Sequence, residues 1–269
     1  MPDVLRDLSP AALTAAVHNS LVEHVLDIPR ILPEWQLSLS GPCTLVMHRH
    51  APTPLDGVFR ARLEPATADA QIAAVRQRFA REGRSLLWLT GAPDEPPDLP
   101  QRLAAQGIQP QEVVPGMAAD LSLLPQTEPL PAGLTIEPVR DAPTHAALAA
   151  IQVQTLGEAF GARAALKRAF GLDPDASVQH YLGRLAGRPV AAATAVYSGG
   201  VVSLWGIGTL PEARGGGIGR ALTLHACLEA SRRGYRVATL HATPSGEPVY
   251  RRLGFARYGQ MQFCFTPAP

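Results

Sequence analysis

Along the chain, apolar residues recur at helical spacing in some segments and alternate in shorter, β-branched or aromatic runs in others, which predicts a mixed α/β protein. Residues 9–29, SPAALTAAVHNSLVEHVLDIP, read as an amphipathic helix with Ser9 as N-cap, Pro10 in the first turn and Pro29 beyond its end. Strands are predicted at 35–39 and 43–48 around the turn Gly41-Pro42, and another at 57–63. A helix at 69–81, a strand at 85–90 and a short helix at 98–106, stopped by Gly107, come next. One or two closing strands are expected within 113–124.

The stretch LPQTEPLPAGL, residues 124–134, holds three prolines and a glycine between periodic segments, so the domain linker is placed there. Beyond it, 134–139 reads as a strand and 141–170 as helical in one or two pieces, interrupted near Gly157 and Gly161. Strands follow at 178–185, 190–197 and 201–209, joined by the tight turns Gly187-Arg188-Pro189 and Ser198-Gly199-Gly200. A helix from 217 to 233 is stopped by Gly234, then come a strand at 237–241, a short helix at 245–253 and a last strand ending at 263–266. The two halves share this order of elements, which makes an internal duplication plausible although no short repeat period is visible.

Length supports the same division, since 269 residues exceed the roughly 100–200 typical of one domain. A 46% apolar and 17% charged composition with mean hydropathy +0.03 is that of a globular chain. Lys plus Arg total 24 against 23 for Asp plus Glu, a balance that gives no broad basic field and argues against a nucleic-acid partner. The cysteines, Cys43, Cys227 and Cys264, are far apart and lack metal-site spacing, so a reduced protein without a structural metal is expected. Acidic residues Asp3, Asp7, Glu23 and Asp27 interrupt the first thirty residues, and no apolar run reaches the ~18 residues of a membrane span. The expected location is the cytoplasm, with no membrane partner.

One loop changes the picture from fold to chemistry. After the strand ending at Thr209 come Pro211-Glu212-Ala213, then Arg214-Gly215-Gly216-Gly217-Ile218-Gly219, then a helix with apolar Ile218, Ala221, Leu222 and Leu228. Glycines let the chain turn through positive φ and let a bulky anion approach the main chain, and the helix start adds partial positive charge. A phosphate or pyrophosphate is the natural occupant. The dinucleotide fingerprint is not met, because Leu222 stands where its last glycine belongs and no acidic residue closes the following strand. The triphosphate loop is not met either, since Arg220-Ala221 replaces Lys-Ser/Thr after Gly219.

What remains, Arg-x-x-Gly-x-Gly from Arg214 to Gly219, is followed about thirty residues later by Tyr250-Arg251-Arg252-Leu253-Gly254-Phe255. Together the two segments resemble the pyrophosphate-binding and closing motifs of the GNAT superfamily of N-acetyltransferases, over about residues 134–265. The resemblance implies a fold of α/β (α+β) class: two acetyltransferase-like domains in tandem, each a mixed, mostly antiparallel twisted sheet flanked by helices. Residues 134–269 would be the catalytic domain and 1–128 a degenerate copy. It also implies acetyl-CoA as co-substrate, with no metal, and direct transfer of the acetyl group to a primary amine in a ternary complex. The acceptor would be a small molecule or peptide, and the protein a monomer or homodimer.

Residue by residue, the resemblance gives Ile207, Gly208 and Thr209 the pantetheine arm. Gly215, Gly216, Gly217, Gly219 and Arg220 would hold the pyrophosphate, with Arg214 and Arg220 adding charge-assisted bonds. Ser245 and Gly246 would lie near the pantetheine and adenosine arms, and Tyr250 would protonate the departing thiolate. Relatives often carry a carboxylate on the strand before the loop as base, whereas Val201-Val202-Ser203-Leu204-Trp205-Gly206-Ile207 has none. His241, whose ordinary pKa suits proton removal at neutral pH, and Glu158 are the substitutes considered, and His180 and His225 are read as structural. In the first half the counterpart loop, Leu63-Glu64-Pro65-Ala66-Thr67-Ala68-Asp69, lacks glycine and carries two acids, so no CoA is expected there. A non-catalytic CoA sensor or scaffold is the alternative, and the missing strand carboxylate favours it.

Overall fold

In the computed structural model the described residues are 4–26, 32–39, 41–53, 56–92, 94–127, 129–157 and 172–269. By contacts the chain divides into two compact units. One, the N-terminal unit, comprises Pro10–Gly116 with Tyr258–Pro269, and the other, the C-terminal unit, Met1–Ser9 with Met117–Arg257.

The N-terminal unit begins with helix α1 (Pro10–Leu26), whose start is braced by the Asp7 carboxylate accepting from the Ser9 amide. Strands β1 (Trp35–Ser38), β2 (Cys43–His48) and β3 (Gly57–Ala61) follow, then helix α2 (Ala68–Arg81), strand β4 (Leu86–Gly91) and helix α3 (Leu99–Ala105). Its strand order is β1-β2-β3-β4, with β11 (Ala256–Thr266) next to β4. β1, β2 and β3 pair antiparallel, β3 and β4 parallel, and β11 antiparallel to β4 from Met261 against Gly91 to Thr266 against Leu86. Trp88, Phe79, Ile72, Leu99 and Leu103 fill the core between sheet and helices.

Strand β5 (Gln109–Asp120) leads from one unit into the other. It is a single strand that starts four residues before the predicted segment. A 3-10 turn at Leu121–Leu123, capped by the Asp120 side chain, replaces the end of that segment. The C-terminal unit continues with β6 (Leu134–Pro138), helix α4 (Ala142–Leu156), β7 (Val178–Leu185), β8 (Arg188–Ser198) and β9 (Val201–Thr209). Helix α5 (Ile218–Arg232), β10 (Val237–His241) and helix α6 (Glu247–Leu253) complete it, in the strand order β5-β10-β9-β8-β7-β6. β6 to β9 are antiparallel, and β9 and β10 parallel.

Asp141 caps α4 by accepting from the Thr144 amide, and Gly157 ends the helix at φ +95°. The remainder of the helical region predicted to reach residue 170 lies outside the described residues. α4 buries Leu148 and Ile151 against Val139, Leu182, Ala192 and Leu210 on one face of the sheet. α5 buries Leu222, Ala226 and Cys227 against Tyr181, Ala193, Val202 and Leu204 on the other.

The two units share a topology, strand–strand–strand then a parallel fourth strand reached through a helix (α2 or α5) and followed by a short helix (α3 or α6). Each unit includes a strand from outside its own half of the sequence, β11 in the N-terminal unit and the Met117–Asp120 end of β5 in the C-terminal unit. A strand belongs with the ladder it completes, whatever its place in the sequence.

Candidate functional site

The site of the C-terminal unit begins where two parallel strands part. The β9–β10 ladder pairs Val202 to Leu204 with Ala238 to Leu240 and stops there, while β9 runs on to Thr209. On its other side β9 carries an extra residue: Ala192 faces Gly208 and Thr194 faces Trp205, so Gly206 and Ile207 together oppose Ala193 alone. This is a β-bulge, and Gly206 adopts φ +56°, open to glycine but strained for other residues. A side chain at Gly206 or Gly208 would also collide with α4, since a Cβ would come within 2.2 Å of Gln152 and 2.1 Å of Thr155.

Beyond β9, Pro211–Ala213 makes one 3-10 turn, and Gly215 and Gly217 turn the chain through φ +84° and +79° into α5. Gly217 is the N-cap, in the left-handed region and without a side-chain cap. The first amide bonded back into the helix is that of Ala221, which donates to the Gly217 carbonyl. Among the described residues no backbone carbonyl accepts from the amides of Gly215, Gly217 or Gly219, which leaves these donors without a backbone partner at the positive end of the helix. The Arg214 Nε donates to the Thr209 carbonyl at 2.9 Å and ties the loop to the strand.

These elements line a cleft of about 900 Å³. Ile207, Gly208 and Thr209 form one wall, Arg214, Gly215, Gly217, Gly219 and Arg220 the glycine-loop end, and Ser245, Gly246 and Tyr250 the facing wall. Gly216 sits exposed at the loop tip and does not line it. Ala213 and Ile218 lie at the same end of the lining, and Thr155, Leu156, Thr243, Val249 and Arg252, which complete it, went unread in the sequence, although the Gly206-Ile207-Gly208 spacing signals the close approach that brings Thr155 in. Arg214, Arg220 and Arg252 are the charged residues of the lining, and none of the lining residues is Asp, Glu or His. Arg220 Nη1 donates to the Arg252 carbonyl at 3.2 Å, tying the start of α5 to α6.

Tyr250 packs on α6 with its ring 6.1 Å from that of Phe255 and is nine-tenths buried. A Cβ on Gly246 would lie 3.0 Å from the Tyr250 ring, which accounts for the glycine. Burial pushes the Tyr250 hydroxyl up to about 12, so it stays protonated and able to donate at neutral pH. His241 ends β10 outside the cleft lining, its ring centroid 6.0 Å from that of Trp205. Glu158 lies outside the described residues. His180 is buried on β7 and bonds through Nδ1 with the Thr194 hydroxyl at 3.0 Å, and His225 packs edge-on against Tyr181.

The matching place in the N-terminal unit is filled by its own chain. There the β3–β4 ladder ends at Val58 and Trp88, and residues after β4 fold back onto the end of β3. Glu95 donates to the Ala61 carbonyl, Leu63 donates to the Glu95 carbonyl, and the Asp94 carboxylate accepts from the amides of Ala61 and Gly91. The groups that in β9 border an open cleft are here already bonded. The connection to α2 contains no glycine, and Thr67 stands at its N-cap.

Residues 176–257 match the family model described as an acetyltransferase (GNAT) domain. No curated protein matches the sequence. Among solved structures, a GCN5-related N-acetyltransferase from Kribbella flavida aligns with TM-score 0.77 and 23% identity over 95% of this chain and 96% of its own. A tandem GNAT protein from the clavulanic acid biosynthesis pathway aligns with TM-score 0.65 and 16% identity over 99% and 97%. A GCN5-related N-acetyltransferase from Sphaerobacter thermophilus gives 0.62 and 18% over 98% and 96%. Residues 176–257 thus carry the match to a GNAT acetyltransferase domain, and the chain has the fold of these solved structures. Among the described residues there is no group of side chains arranged for a metal, and no helix long and apolar enough to cross a membrane.

Proposed function

We propose that the chain is an acetyl-CoA-dependent N-acetyltransferase whose donor occupies the cleft of the C-terminal unit. The glycine loop carries this reading: its amides have no backbone acceptor among the described residues, and three arginines line the cleft without a carboxylate among them. That set of donors suits a pyrophosphate, and the parted strands leave a slot for an extended arm beside Ile207 to Thr209. The nitrogen lone pair of a primary amine, small molecule or peptide, attacks the thioester carbonyl carbon. The C–N bond forms, the C–S bond breaks, and the departing sulfur takes a proton from the Tyr250 hydroxyl. The nitrogen loses its proton to a base, for which His241 and Glu158 remain the residues proposed. Residues 134–269 act as the catalytic domain, and the N-terminal half is a degenerate copy that binds no CoA.

A non-catalytic CoA-binding role is the second reading, favoured by the absence of carboxylate and imidazole from the cleft lining. Thiol release from acetyl-CoA measured against a panel of amines separates the two. Amine-dependent release supports the transferase, and acetyl-CoA binding with no release for any amine supports the sensor.

A further inference from the structure

The β9 bulge is held by a side chain that neither the loop motif nor the closing motif contains. Gln152 projects from α4, is 4% exposed, and donates through Nε2 to the Gly206 carbonyl at 3.0 Å and to the Thr194 hydroxyl at 3.3 Å. Thr194 lies on β8 and is itself bonded to His180 Nδ1 at 3.0 Å, so a buried polar chain runs from β7 across β8 to the bulge. Buried polar groups hold such positions only when satisfied, which gives Gln152 a defined orientation.

The consequence follows from the geometry of one peptide unit. In a trans peptide the C=O and the next N–H point in opposite directions. Gln152 draws the Gly206 carbonyl toward α4 and β8. The amide of Ile207, in the same peptide plane, is thereby turned the other way, toward the side where the β9–β10 ladder has ended and where Ile207 lines the cleft.

We infer that Gln152 is a positioning residue that aims the Ile207 amide at the thioester oxygen, where negative charge collects as the carbonyl is attacked. This rests on the transferase reading above. Gly206 is part of the device, since a Cβ there would displace the Gln152 amide. An aligned donor in a water-poor site is worth ~10²–10³ in rate when removed outright, and a misaimed one forfeits part of that.

The test needs no acceptor amine. Acetyl-CoA carrying ¹³C at the thioester carbonyl is bound to the intact protein, and the isotope-edited infrared band of that carbonyl is compared with the band in water. Wild type should show a downshift, Gln152→Met should lose most of it while binding acetyl-CoA within about threefold of wild type, and Thr194→Val should lose part. Gln152→Glu should lose it at neutral pH and regain it in acid, where the protonated carboxyl can again donate to the Gly206 carbonyl. A packing role would not produce that recovery. No acetyl-CoA binding by wild type would overturn the transferase reading itself. Binding with a downshift that Gln152→Met retains, or with none in wild type, would overturn the role of Gln152 alone.

Discussion

Arg214 reaches back five residues to donate its Nε to the Thr209 carbonyl, so the side chain that opens the glycine loop also clamps the strand leading into it. The guanidinium keeps further N–H donors for a phosphate oxygen at the cleft it lines. Arg214→Ala should weaken acetyl-CoA binding by ~1.5–3 kcal/mol, roughly 10- to 150-fold in Kd, the range for a hydrogen bond to a charged group. Arg214→Lys should recover only part of this, because an ammonium cannot serve strand and phosphate together. Calorimetric titration checks both.

For Tyr250, burial lifts the hydroxyl to about 12, which disfavours the phenolate and keeps the proton on the oxygen at neutral pH. Tyr250→Phe keeps the ring that packs on Gly246 and Phe255 and removes the proton. Turnover should fall at least ~100-fold, the lower range for general acid catalysis, with acetyl-CoA affinity changed less than about threefold. Equal turnover of the two proteins in a thiol-release assay would remove Tyr250 from the chemistry.

In the N-terminal unit Asp94 and His18 stand 3.8 Å apart, both buried, yet each is pushed toward its neutral form by burial. The Asp94 carboxyl rises to about 6 and His18 falls to about 4, the latter through burial and the Arg60 charge. A carboxyl raised in the folded state stabilises most when protonated, and that contribution is lost as pH climbs through about 6. His18 behaves oppositely, losing its contribution as pH falls from 6.5 toward 4, but Asp94 is not among the causes of its shift. Its effect largely cancels when wild type is compared with Asp94→Asn. Wild type should therefore gain on the variant by ~2 kcal/mol between pH 7.5 and pH 4.5. Urea titrations at the two pH values measure it, and a gap that narrows in acid would contradict the assignment.

The site was legible in the sequence where local backbone demands are strict. Gly215 and Gly217 need positive φ, and Gly246 must admit the Tyr250 ring, so the letters themselves announce the geometry. The last strand was legible but its partner was not, because the residues that pair with Met261 to Thr266 lie some 175 residues away and no local pattern encodes them. Gln152 was equally silent: a glutamine in a helix reads as solvated until the register sets it over Gly206 and Thr194. His241 drew notice as a titratable group at a strand end, and only the structure shows its ring against Trp205 and outside the cleft lining.

The most direct test of the account is the binding of acetyl-CoA to the whole chain, followed by calorimetry in wild type, Gly217→Val and Gly216→Ala. At Gly217 a β-branched residue meets φ +79° at a strain of at least ~1–2 kcal/mol and crowds the cradle, whereas a Cβ at Gly216 meets nothing within 4 Å. Wild type and Gly216→Ala should each bind one acetyl-CoA per chain, the N-terminal place being filled by Asp94 and Glu95, and Gly217→Val should bind at least ~100-fold more weakly. No binding to wild type, two molecules per chain, or binding indifferent to Gly217→Val would contradict it.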